Sequence, residues 1–161
     1  MDTDHFGKVF MDLNKAKGVI YGLAIGDALG RPTEFLSSDL IKSKYGDKGI
    51  QELPEPALFT DDTQMSVAIA EALIKSGEKD IEEIMAAVKE EFIKWLHSPD
   101  NNRAPGRTCV SGVENMEKGT HWSESGIAVS KGCGSAMRAA PIGYFYQHAP
   151  ERLKVVAHAS G

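Results

Sequence analysis

Thr60, Asp61 and Asp62, within Phe59-Thr60-Asp61-Asp62-Thr63-Gln64, place a hydroxyl and two adjacent carboxylates directly before an apolar run from Met65 to Ile74. Thr60 is a suitable helix N-cap, because its hydroxyl can accept a hydrogen bond from a backbone N–H two or three residues on. Asp61 and Asp62 then fall in the first turn, where the helix dipole favours negative charge. A well-capped helix is one reading of this stretch. The other is a metal site, since several hard oxygens in a small volume suit Mg²⁺ or Mn²⁺ rather than zinc. Neighbouring side chains at a helix start point in different directions. The pair therefore bridges two ions, or holds one only if another segment completes the shell.

Four further places carry polar groups in unusual settings. Asp27 lies on the apolar stripe of a helical pattern over Lys15 to Gly30 formed by Ala16, Val19, Ile20, Leu23 and Ala24. A carboxylate there needs a hydrogen-bonding partner, either as structural support or as an outer partner of a metal site. Glu34 follows in Arg31-Pro32-Thr33-Glu34-Phe35, a turning segment after a rigid helix, and reads as a solvated acid or as a catalytic one. The run Gly132-Cys133-Gly134-Ser135-Ala136-Met137-Arg138-Ala139-Ala140-Pro141 offers small residues that let backbone approach a ligand or a neighbouring helix. Ser135 is a candidate cap for a helical turn whose N–H groups attract phosphate. His158 stands near the end of the last helical pattern, where it can also interact with the helix C-terminus.

The elements that must hold these residues are helical. The clearest stripe is Ile81, Ile84, Met85, Val88, Phe92, Trp95 and Leu96, opposed by Glu82, Glu83, Lys89, Glu90, Glu91 and Lys94, after a cap at Asp80. Ser37 or Ser38 can open a short helix through Tyr45 that Gly46 ends. Lys48 to Leu58 reads as a proline-bearing loop. Arg107 to Lys118 reads as a helix with Val110, Val113 and Met116 inward, and Thr120 to Lys131 as an exposed connection. Pro141 predicts a kink or a helix restart, and Pro150 opens a final helix with Leu153, Val156 and Ala157 on its apolar face. Gly18, Gly22, Gly26 and Gly30 recur at intervals of four along the first helix. Each interior glycine costs about 1 kcal/mol against alanine, so the row predicts close approach of a helix or ligand.

Composition narrows the function classes. A length of 161 residues, with 42% hydrophobic and 25% charged residues, suits one soluble domain. A net charge of −5 without a basic stripe argues against nucleic-acid binding. Cys109 and Cys133 have no C-x-x-C spacing, which argues against a disulfide framework or zinc knuckle and for a reducing cytoplasm. No apolar run approaches the roughly 20 residues of a membrane span, and the acids within Met1 to His5 do not suit a signal peptide. Neither a dinucleotide fingerprint nor a P-loop is present.

Taken together, Gly22-Leu23-Ala24-Ile25-Gly26-Asp27-Ala28-Leu29-Gly30, Pro32-Thr33-Glu34, Phe59-Thr60-Asp61-Asp62-Thr63, the run from Gly132 to Pro141, and Ala157-His158-Ala159 resemble the ADP-ribosylglycohydrolases, the group of dinitrogenase-reductase-activating glycohydrolase and the ADP-ribosylhydrolases. The resemblance runs from the first helix to the last residue. It implies an all-α, compact multi-helix bundle and a hydrolase that uses two Mg²⁺ or Mn²⁺ ions to release ADP-ribose from a modified side chain, commonly arginine or serine, or from a small conjugate. By the same resemblance Thr60, Asp61 and Asp62 are metal ligands, and Glu34 and Asp62 are the candidates for the catalytic base. Gly132, Gly134 and Ser135 approach the diphosphate or ribose, and His158 lines the substrate cleft.

One departure matters. The family's later D-x-D-T segment is absent, the only Asp-x-Asp being Asp2-Thr3-Asp4 in an unpatterned terminus. The expectation is therefore a single helical domain over 1–161 that forms the N-terminal part of a longer one, incomplete at its C-terminus. The alternative is a non-catalytic ADP-ribose-binding or structural module with an incomplete metal site.

Overall fold

The computed structural model describes residues 12–130 and 132–161. Met1 to His5, Asp2-Thr3-Asp4 and Lys131 lie outside the described residues. The described residues form eight α-helices and no strand, an all-α fold. In chain order these are α1 (Leu13–Gly30), α2 (Ser38–Tyr45), α3 (Asp61–Ser76), α4 (Ile81–Leu96), α5 (Arg107–Glu117), α6 (Gly134–Met137), α7 (Ala139–Phe145) and α8 (Pro150–Ser160), with short 3₁₀ turns at Arg31–Thr33 and Trp122–Glu124.

Local capping explains most of the boundaries. Ser37 Oγ accepts from the Leu40 N–H, Thr60 Oγ1 from the Asp62 N–H, and Asp80 Oδ1 from the Glu83 N–H. Gly46, at φ +80°, ends α2 in a conformation that side chains disfavour. Pro141 sits in the first turn of α7, so the helix restarts there. Ser135 does not cap α6. Cys133 holds that position without a side-chain hydrogen bond, and Ser135 lies inside the turn.

The core sits between α3 and α4. Met65, Ile69, Ala72 and Leu73 of α3 meet Ile84, Met85, Val88, Phe92 and Trp95 of α4, and α5, α7 and α8 close it with Val113, Ile142 and Val156. The α4 stripe is thus core, as its spacing requires, with one correction. Glu91, expected on the solvent face, is buried at 4% exposure. It borders the contact with α3, whose Lys75 bonds its carboxylate together with Lys94 of its own helix. The two lysines supply the charge that permits burial, and their stems carry the ammonium groups out to water.

Close approach occurs at Gly77, where a Cβ would stand 2.5 Å from the Phe145 ring. It does not occur along α1. Gly18, Gly22, Gly26 and Gly30 have no atom within 4 Å of a built Cβ among the described residues, which corrects the expectation of a partner on that ridge. Helix α1 instead turns its Ala16, Val19, Ile20, Leu23, Ala24 and Asp27 face to α3 and α7, half-buried, with only Ala28 fully buried.

Candidate functional site

Asp27 organises the first turn of α3. Its Oδ2 accepts from the Thr60 N–H at 2.8 Å, the Thr63 N–H at 3.2 Å and the Thr63 hydroxyl at 2.6 Å, while Oδ1 accepts from the Thr60 hydroxyl at 2.8 Å. Two backbone N–H groups that a helix start leaves unpaired are thereby satisfied from another helix. Thr60 gives its hydroxyl proton to Asp27 and accepts the Asp62 N–H, so its oxygen is fixed at the mouth of the turn. Asp61 is buried, and its Oδ2 accepts from the Gly106 N–H at 2.9 Å just before α5. Its own N–H donates to the Arg103 carbonyl at 3.0 Å, tying the loop before α5 to the same turn.

Glu34, Asp61 and Asp62 come together here with Asp27. Burial, then the charges of Asp61, Asp27 and Glu34, push the Asp62 carboxyl up to about 6. Burial raises Asp61 against the opposing pull of the Gly106 N–H, and Glu34 is raised by burial and then by Asp61 and Asp27. None of the ion pairs among the described residues involves these four acids. The donors are all oxygen and the corner carries negative charge without a basic partner, which fits a hard divalent cation in kind. The acids alone do not close a shell: among the described residues no three Asp, Glu, His or Cys side chains are gathered to hold one ion. Thr60, water or oxygens outside this set must supply the rest.

Gly132, Gly134, Ser135 and His158 line one cavity of about 540 Å³, bounded on its other sides by α5, by Trp122 to Ser130 and by core residues Met65, Met85 and Phe92. Glu34, Asp61 and Asp62 are not in its lining. The two sets meet through α5. A Cβ at Gly106 would lie 3.7 Å from both Asp61 Oδ2 and Cys109 Sγ, and one at Gly134 would lie 2.6 Å from the same sulfur. Gly134 is thus required by close packing on Cys109, while Gly132, Ser135 and His158 are exposed around the opening. Burial raises the Cys109 thiol, Arg138 lowers it, and Asp61 raises it.

Sequence reasoning missed Gly106, Cys109 and Arg138 as parts of this arrangement. Gly106 acts through its backbone N–H and leaves no side-chain signal. Cys109 is recognised only by what packs on it, and Arg138 drew no separate attention within the glycine-rich run.

Comparison with known proteins shows the family. A family model described as ADP-ribosylglycohydrolase matches residues 11–161. The chain is 36% identical over 139 residues to an uncharacterized protein of Archaeoglobus fulgidus, covering 82% of this chain and 43% of that one. It is 36% identical over 138 residues to the ADP-ribosyl-[dinitrogen reductase] glycohydrolase of Rhodospirillum rubrum, covering 80% and 43%. It is 30% identical over 146 residues to the ADP-ribosylarginine hydrolase Tri1 of Serratia proteamaculans, covering 87% and 39%. The chain therefore spans about two fifths of the length of these relatives. Among the described residues no helix is long and apolar enough to cross a membrane.

Proposed function

The chain belongs to the ADP-ribosylglycohydrolase family, and on that footing we propose that it supplies the acidic corner and part of the substrate cleft of a metal-dependent hydrolase that releases ADP-ribose from a modified protein side chain or a small conjugate. The observation that carries this reading is the uncompensated cluster of Asp61, Asp62, Glu34 and Asp27, joined through Gly106 and Cys109 to the cleft of Gly132, Gly134, Ser135 and His158. The domain read here as 1–161 is proposed to be the N-terminal part of a longer one, working in the cytoplasm.

Asp61, Asp62 and Thr60 would hold Mg²⁺ or Mn²⁺. Such ions, when bound, lower the pKa of water and stabilise charge on ribose oxygens. The chain's own groups have distinct tasks. Asp27 fixes Thr60 and Thr63 so that the first turn of α3 keeps one geometry. Asp61 is held in position by the Gly106 N–H on its Oδ2. Asp62, beside the proposed ions, is the candidate base for water attacking the ribosyl carbon, where oxocarbenium character develops. Glu34, exposed beside it, is the second candidate. Gly132, Gly134, Ser135 and His158, which line the cavity, would contact the diphosphate and ribose.

The test is release of ADP-ribose from ADP-ribosylated arginine or serine peptides. Activity should require Mg²⁺ or Mn²⁺ and vanish in Asp61→Ala plus Asp62→Ala; turnover that persists in chelator sinks the metal-dependent mechanism. One observation favours a second reading, a non-catalytic ADP-ribose-binding module: no three acids among the described residues converge on one ion. Calorimetry with ADP-ribose separates the two, since binding that ignores Mg²⁺ and is followed by no turnover supports the module.

A further inference from the structure

Arg138 is 8% exposed and lines the cleft, yet none of the ion pairs among the described residues includes it. A buried guanidinium without a carboxylate is costly, and backbone carbonyls offset the cost here. Nη1 donates to the Gly134 carbonyl at 2.5 Å, while Nε and Nη2 donate to the Ser160 carbonyl at 3.1 and 2.5 Å. The Gly134 acceptor is free for a local reason. Helix α6 ends at Met137 and the Arg138 N–H turns to Ala136, which leaves the Gly134 carbonyl without its helical donor. The Ser160 carbonyl, in α8, accepts from both Nε and Nη2. The guanidinium carbon also stands 5.4 Å from the centroid of the Phe92 ring, so the group is anchored on the core of α4.

We propose that Arg138 is the positioning residue of the cleft: its planar fork fastens the glycine-rich turn at Gly134 to α8 at Ser160, and so holds in register the two walls that carry Ser135 and His158 at the cavity in which an ADP-ribosyl group would lie. The identity of that ligand rests on the function proposed above; the fastening does not. A lysine keeps the charge but, as a point donor, cannot hold both carbonyls as a fork does. The arginine acts through the two walls and touches no reacting atom.

The experiment uses the whole chain with Arg138→Met and Arg138→Lys, and Ile69→Ala as a core variant of comparable destabilisation away from the cleft. Two readouts are taken: ADP-ribose affinity by calorimetry, and amide hydrogen exchange over 132–137 and 156–161. Expected for Arg138→Met is affinity weakened at least about tenfold, with exchange faster in both segments together. Arg138→Lys should recover part of both, and Ile69→Ala should accelerate neither segment selectively. Unchanged affinity in Arg138→Met, while the unsubstituted chain binds ADP-ribose, overturns the proposal. So does faster exchange in only one segment or in neither. If the unsubstituted chain does not bind ADP-ribose, the functional reading fails by itself and the exchange data alone decide whether Arg138 joins the two walls. Should Arg138→Met not fold, Arg138→Gln and Arg138→Lys carry the same two readouts.

Discussion

Helix α3 has an acidic cluster at each end of its length, and the two are built on opposite plans. At the first turn Asp61 and Asp62 stand with Asp27 and Glu34, and no lysine or arginine pairs with them among the described residues. In the last two turns Glu71 and Lys75 face Glu90, Glu91 and Lys94 of α4. There burial works to raise Glu91, but hydrogen bonds from Lys75 and Lys94 hold it below the usual carboxylate range. Glu71 is pushed up, by burial first and then by its hydrogen bond and charge interaction with Glu91. Same helix, similar acids, opposite outcome: lysines neutralise the second cluster, so it serves packing. The first cluster keeps its repulsion, which a bound cation would relieve, and repulsion retained at a fixed helix start is a mark of a functional site.

The largest effect should come from the carboxylate that holds the first cluster together. Asp27→Ala removes hydrogen bonds to Thr60 and Thr63 and leaves buried donors unpaired, a loss of about 3 kcal/mol, or about 10 °C in the thermal midpoint. A midpoint within error of the unsubstituted chain would show that α3 starts without help from α1. At the other end, Lys75→Met leaves Glu91 with Lys94 alone and should lower the midpoint by about 5 °C. That loss should disappear in the Glu91→Gln background; if it does not, Lys75 acts by packing and the contrast between the clusters weakens.

The two clusters should also answer pH with opposite signs. Glu91 is lowered, so its contribution is present above its ordinary value of 4.5 and is lost as pH falls through its folded value. Asp62 is raised from 3.8 to about 6, so its contribution is present below pH 3.8 and is lost as pH rises through about 6. In chelator at pH 7, Asp62→Asn should therefore raise the midpoint by about 3 °C, with no gain at pH 3.5, while reducing any ADP-ribose release. A variant that is less stable at pH 7 would show that the corner is not repulsive. The smallest effect concerns α1. Gly22→Ala should stabilise by up to about 1 kcal/mol, because nothing among the described residues lies near the added methyl; destabilisation in thermal melts would reveal a neighbour on that ridge.

What local chemistry decides could be read from the residues. Thr60, Ser37 and Asp80 cap helices because capping depends on two to three positions of chain, and the α4 stripe announces its core face by period alone. Long-range pairings could not be read. Asp27 was visible as misplaced, but its partners lie 33 and 36 positions away. Glu91 is misassigned because one of the two lysines that make its burial tolerable belongs to another helix, and Ser135 because the turn begins two residues sooner than its hydroxyl could cap. The gathering of Gly132, Gly134, Ser135 and His158 around one cavity came from resemblance and not from spacing. Its physical basis, the Gly134 contact with Cys109 and the Arg138 fork, needs tertiary structure to be seen.

The Asp27 clasp also sets which parts of the chain let go together. Helix α1 has one fully buried side chain, so beside its half-buried face the carboxylate shared with the opening turn of α3 is a principal anchor. Detachment of the N-terminal helix must free the Thr60 and Thr63 amides, and fraying of that turn must loosen the helix. A ligand gripping Asp61 and Asp62 would then shield the loop over 47–58 from protease, turning its cleavage rate into a gauge of occupancy at the acidic corner.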